Sequence, residues 1–160
     1  MAFIVVFVSV RIATPFVFLF AASASLVPVE HLNLENEVAL SGYDSVSYHQ
    51  GTPTVGVAQW SHQYGGAEYR FASKENLETF RKKPETYLPV YGGWCAYAML
   101  DGDKVEVDPM SFKLIEGTTY LFYDGFWGDT LKRCNKKQQK TPESSLVKEA
   151  DGHWAKILSK

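Results

Sequence analysis

The chain predicts an α+β domain: a small antiparallel sheet from two hairpins, with helices packed on one side. Three observations predict it. Gly65-Gly66 separates the runs 58–64 and 67–72, and paired glycines accept the positive φ of a tight hairpin turn. Glu116-Gly117 plays the same part between 112–115 and 118–123. The segments around these hairpins have helical spacing, so the strands are joined by tight turns and not by parallel crossovers.

In chain order, residues 1–25 read as a secretory signal peptide. An apolar run from Ile12 to Ala22 follows Arg11 and ends in Ala22-Ser23-Ala24, the small-x-small pattern of a signal-peptidase site. Arg11 and Pro15 interrupt the apolar N-terminal stretch, and the uninterrupted part falls well short of the roughly 20 residues that span a bilayer. The expected product is a secreted or otherwise exported single domain, 26–160, with a C-terminal helical extension. No cysteine near the cleavage region could carry a lipid, and no membrane association is expected after cleavage.

Residues 26–33 read as an extended arm and 35–40 as a short strand or turn, broken by Ser41-Gly42. Asp44 or Ser45 caps a short helix that Gly51 and Pro53 stop. In the second strand of the first hairpin, Tyr69 and Phe71 share one face and Arg70 takes the other. Ser73 caps a helix over 74–83, with Leu77 and Phe80 on one face, and Pro84 ends it. A helical turn over 84–91 leads into Gly92-Gly93. In the second hairpin, Leu114 is expected to face a core partner such as Tyr120 or Phe122. Amphipathic helices follow over 129–137 and 143–158. The second is opened by Pro142, anchored by Leu146, Ala150, Trp154 and Leu158, and weakened by Gly152.

The sequence has 160 residues, with 16 basic and 18 acidic side chains and 14% aromatic residues. Removing the leader takes Arg11 and leaves 15 basic against 18 acidic residues, a formal charge of -3. About 135 residues suit one compact domain, with a core built from Tyr, Phe and Trp. The one basic concentration, Lys132-Arg133 with Lys136, Lys137 and Lys140, lacks interleaved aromatics and reads as a solvated helix end, not a nucleic-acid surface. Nothing repeats at the periods of solenoids or propellers.

The stretch Tyr91-Gly92-Gly93-Trp94-Cys95-Ala96-Tyr97-Ala98 sets one thiol in a glycine-loosened, aromatic-walled turn. Such a cysteine is a soft metal ligand, a nucleophile, half of a disulfide, or a small core residue. Cu(I) needs two or three soft ligands and Zn(II) four from thiolate, imidazole or carboxylate. Cys95 is the best single donor. His31, His49, His62 and His153 are scattered, but His49 and His62 lie nearest the expected sheet, so Cys95, His49 and His62 are the candidate metal ligands. Met99 offers a further thioether.

In an exported protein Cys95 and Cys134 are alternatively a disulfide, closing a loop of about 40 residues worth roughly 4 kcal/mol in the chain-entropy model. A thiol enzyme is a third class. No acid and base at a recognisable spacing and no phosphate loop accompany the cysteine, so catalysis is not the reading adopted. The tyrosines are read as core, not as walls for a flat ligand such as haem or a quinone, and Asp44 and Asp108 as turn or cap residues.

Gly42-Tyr43-Asp44-x-Val46-x-Tyr48, Tyr69-x-Phe71-Ala72-Ser73, Phe80, Pro84, Tyr87, Pro89, Tyr91-Gly92-Gly93-x-Cys95-Ala96-Tyr97-Ala98 and Asp108-Pro109, in that order, resemble the YHS domain family, in particular its stand-alone secreted members. The resemblance runs from about Val38 to Tyr123. It implies a small module associated with copper and other heavy metals. The extra cysteines that metal-linked members carry around 69–80 are replaced here by Ala72, Ser73 and other residues without a thiol. The combined expectation is a secreted YHS-type binding module taking a transition metal, copper favoured, through Cys95. Its rival is a structural or partner-binding domain with a Cys95–Cys134 bridge and no metal.

Overall fold

A computed structural model describes residues 26–160, and the expected signal peptide lies outside the described residues. At its centre is the first hairpin, β3 (Val57–Tyr64) and β4 (Ala67–Phe71), paired antiparallel. Gly65 and Gly66 turn it with φ of 58° and 86°, the left-handed pair that a primed turn demands. Along β4, Ala67, Tyr69 and Phe71 are buried while Glu68 and Arg70 are half-buried, the alternation of a strand with one face in the core.

Two short strands, β1 (Leu34–Glu35) and β2 (Val38–Ala39), extend this sheet to the order β1-β2-β4-β3. β2 runs parallel to β4, with Val38 opposite Glu68. The second hairpin, β5 (Asp108–Ile115) and β6 (Thr118–Phe122), turns at Glu116 and Gly117 and forms its own two-stranded sheet. A third ribbon, β7 (Asp124–Gly125) with β8 (Gly128–Asp129), follows directly.

The α+β class holds, but the hairpins do not merge into one antiparallel sheet. β2 occupies the edge of β4 that a second hairpin would need. β5 and β6 instead reach the first core with side chains, Phe112 and Leu121 packing against the cluster around Tyr48, Phe71 and Phe80.

Among the described residues, four α-helices complete the fold: α1 (Lys74–Lys82), α2 (Pro84–Tyr87), α3 (Thr130–Gln138) and α4 (Glu143–Leu158). Ser73 caps α1 by accepting the Asn76 N–H, and Asp129 caps α3 by accepting that of Lys132. Phe80 of α1 meets the Tyr69 and Phe71 rings at centroid distances of 5.1 and 5.0 Å, joining helix to hairpin. A second core packs Leu146 and Ala150 of α4 and Cys134 of α3 against Tyr91, Met99, Tyr120 and Phe122.

β6 therefore serves two cores: Leu121 enters the first, while Tyr120 and Phe122 enter the second. Leu114 is the corrected expectation. It pairs with Thr119 on the face that carries Phe112 and Leu121, opposite to that of Tyr120 and Phe122, and is 36% exposed toward the turn end of the hairpin.

Asp44 is fully buried and works as a turn residue, as expected, while the N-cap position of the following 3-10 turn is Val46. Asp44 Oδ1 accepts the Val46 N–H at 2.8 Å, starting the 3-10 turn Ser47–Gln50, which Gly51 ends at φ 83°. Its Oδ2 accepts the Ala72 N–H at 2.9 Å and the Asn76 amide at 2.6 Å, tying that turn to the β4–α1 junction. Three donors satisfy a carboxylate that burial would otherwise penalise.

Candidate functional site

Cys95 is fully buried in the connection between the Tyr91-Gly92-Gly93 turn and the 3-10 turn Ala98–Leu100. Its sulfur accepts the Tyr123 N–H at 3.3 Å and lies 3.4 Å from Thr130 Oγ1. Thr130 donates its own proton to the Tyr123 carbonyl at 2.8 Å. The Cys95 S–H is therefore the donor to Thr130, and four groups form a closed ring joining the end of β6 to the start of α3. This sulfur is satisfied as a thiol.

Cys134 follows Thr130 by one helical turn on the buried face of α3, where burial pushes its thiol pKa up. Both cysteines are free, so the expected Cys95–Cys134 bridge is not formed. Each sulfur has other partners: Cys95 has the β6–α3 ring, and Cys134 packs in the second core with the Gln138 amide 3.8 Å away.

The other candidate ligands lie elsewhere. His49 packs edge-on against Tyr87 at 4.9 Å and has Thr119 Oγ1 3.4 Å from Nε2. Desolvation lowers its pKa below the ordinary histidine value. His62 sits on β3 with its ring edge-on to Phe80 at 6.2 Å. Among the described residues no three His, Cys, Asp or Glu side chains gather as a metal site would require. Cys95, His49 and His62 thus do not form one centre, and the donor set does not fit a three- or four-coordinate ion.

The glycine pair after Tyr91 has a different use. Tyr91, Gly92 and Gly93 have φ of 55°, 62° and 89°, three successive left-handed residues. A Cβ on Gly92 would lie 2.5 Å from the His31 carbonyl oxygen, so the turn is a seat for the N-terminal arm. The arm is fastened there by Asn33 N–H to the Gly92 carbonyl at 2.8 Å, Asn33 Nδ2 to the Gly93 carbonyl at 3.2 Å, and Trp94 Nε1 to the His31 carbonyl at 2.9 Å. Lys104 Nζ donates to His31 Nδ1 at 2.8 Å and lies 5.7 Å from the centre of the Trp94 ring, a cation–π contact.

Seated this way, the arm closes one side of an apolar pocket of about 160 Å³. Leu26, Val27 and Leu32 of the arm face Leu88 and Pro89 across it, and the β3–β4 hairpin supplies Tyr64 and Tyr69. At the rim Tyr64 donates to Glu85 Oε1 at 2.5 Å. Burial and this carboxylate push the Tyr64 pKa up to about 12, while the Tyr64 hydroxyl holds that of Glu85 below its ordinary value. Burial, with Tyr64 nearby, takes Tyr69 to about 12. The pocket offers an apolar body, two phenol groups that stay protonated, and one carboxylate that stays charged.

Sequence reasoning placed Tyr69 in the core and did not single out Tyr64 or Glu85. The pocket depends on an arm and a turn that meet across some 60 residues of chain, as Asn33 and Gly93 do. The local signal is the pair of glycines after Tyr91, which makes room for a crossing chain and not only for the bend before the thiol.

No curated protein and no solved structure matches the chain. Residues 47–91 match the family model of the YHS domain, a module associated with metal binding. That stretch contains His49, His62, Tyr64, Tyr69, Glu85, Leu88 and Pro89 and ends at Tyr91, so Cys95 lies beyond it. The β3–β4 hairpin, α1, α2 and one wall of the pocket therefore lie within the stretch that is similar to the YHS domain.

Proposed function

We propose that the protein is an exported, non-catalytic YHS binding module whose ligand is a small amine with an apolar body, held in the pocket between the arm and the β3–β4 hairpin. The carrying observation is Glu85, a carboxylate at the rim of an otherwise apolar cavity, oriented by Tyr64 at 2.5 Å. A cavity of about 160 Å³ suits one six-membered ring, since an engineered cavity of about 150 Å³ takes benzene. The ammonium end meets the carboxylate, and the aromatic walls favour a cation near their faces. Export rests on the leader, and N-terminal sequencing of secreted protein is expected to start within a residue or two of Leu26.

Benzylamine is the probe. Titrated into ¹⁵N-labelled protein, it should give saturating shifts at the amides of Tyr64, Gly65, Tyr69 and Gly92. Glu85→Gln should weaken it at least about threefold, as expected for loss of one exposed charge-assisted contact. Shifts that do not saturate, or equal affinity in the variant, refute the reading.

A second reading keeps the metal. Cys95 and Cys134 are both free and buried, and the Cys95 sulfur lies 3.4 Å from Thr130 Oγ1, one helical turn before Cys134 on α3. Two thiolates suffice for a linear Cu(I) site, with neither His49 nor His62 taking part. Cu(I) titration against a chelating competitor tests it: binding must disappear in both Cys95→Ala and Cys134→Ala.

A further inference from the structure

The β7–β8 ribbon ends in a two-residue tip, Phe126-Trp127, that nothing in the fold covers. Phe126 is 90% exposed and Trp127 74%, and their rings meet only each other, edge to face at 5.0 Å. Large aromatics side by side in water are costly to keep unless they have a target. The tip is also braced. Trp127 N–H donates to the Tyr123 hydroxyl at 3.1 Å, and Arg133 from α3 donates to the Trp127 carbonyl.

Arg133 belongs to a cationic row that begins beneath the tip. Lys132, Arg133, Lys136 and Lys137 are all exposed along α3, whose buried residues are Thr130 and Cys134, and Lys140 continues the row. The acidic groups nearby are Asp124 and Asp129 at the base of the ribbon and Glu143, which is held by Lys113 and Gln138 at the far end of α3. Asp129 is committed to capping α3 and to Lys132, 3.1 Å away. The surface is thus an aromatic point set beside a basic helix face.

We propose that this surface docks on an anionic lipid membrane, the Phe126-Trp127 tip entering the interfacial layer while the α3 cations face the head groups. Two aromatic side chains bury roughly 300–500 Å² together, short of the ~800 Å² per partner of a stable protein interface. An insertion point needs no matching cavity, and aromatic residues beside cations suit the membrane boundary. No helix of the described residues is long and apolar enough to cross a membrane, so the contact is peripheral. It involves neither the pocket nor the thiols, and it revises the expectation of no membrane association.

The test is sedimentation of residues 26–160, which contain both packed cores, with phosphatidylcholine vesicles with or without about 30 mol% phosphatidylserine, at about 100 mM salt. The protein should bind the anionic vesicles and leave the neutral ones. Phe126→Ser/Trp127→Ser should lower binding about tenfold or more, as should Lys132→Gln/Arg133→Gln/Lys136→Gln, and brominated lipid should quench Trp127. Because the tip is solvent-exposed, the first variant should melt like the parent, so loss of binding is not loss of fold. Binding that is absent, indifferent to lipid charge, or unchanged by the tip substitutions overturns the proposal. So does a tip that captures a protein while vesicles stay unbound.

Discussion

The Tyr91 hydroxyl donates to Asp151 Oδ1 at 3.0 Å, linking the last residue of the YHS match to the C-terminal helix. Tyr91 is nearly fully buried and left-handed, and burial and the Asp151 carboxylate push its pKa well above the ordinary tyrosine value. α4 thereby helps hold the turn on which the arm rests. Tyr91→Phe should cost about 1 kcal/mol in urea unfolding, the lower range for a bond to a charged but exposed partner. Asp151→Asn, which keeps an acceptor oxygen, should cost less.

Gly92→Ala should cost more, about 2 kcal/mol or above, since it combines a left-handed backbone with a Cβ 2.5 Å from the His31 carbonyl oxygen. Thermal unfolding measures the loss. The arm should be released before the rest melts, visible as faster amide exchange at Asn33.

The ring around Cys95 predicts a protected thiol. Ellman's reagent should find two thiols in denaturant and react with neither quickly in the native protein, since both cysteines are free and buried. Cys95→Ala should destabilise by about 1–2 kcal/mol, through a small cavity and the unpaired Tyr123 N–H.

His49 predicts a pH dependence. Its folded pKa is lowered by desolvation, so below about pH 6.5 the unfolded chain binds the proton more readily than the native one. Its contribution is fully present above that pH and declines as pH falls through the window. Urea midpoints should drop between about pH 7.5 and 5.5, and His49→Asn should drop less.

Much of the fold was legible locally. Gly65-Gly66, Glu116-Gly117, the Ser73 cap, the Leu77 and Phe80 face and the Leu146 and Ala150 face all act where their spacing put them, because turn φ, capping and helical period depend on near neighbours. The α+β class followed from these. What distant contacts settled could not be read this way: β2 taking the edge of β4, Leu121 and Phe122 parting into different cores, Gly92 seating the arm, and Cys95 closing a ring with Thr130. Each needs side chains or backbones from remote parts of the chain to meet within a few ångströms. The spacing of residues along one strand or helix carries no record of such encounters.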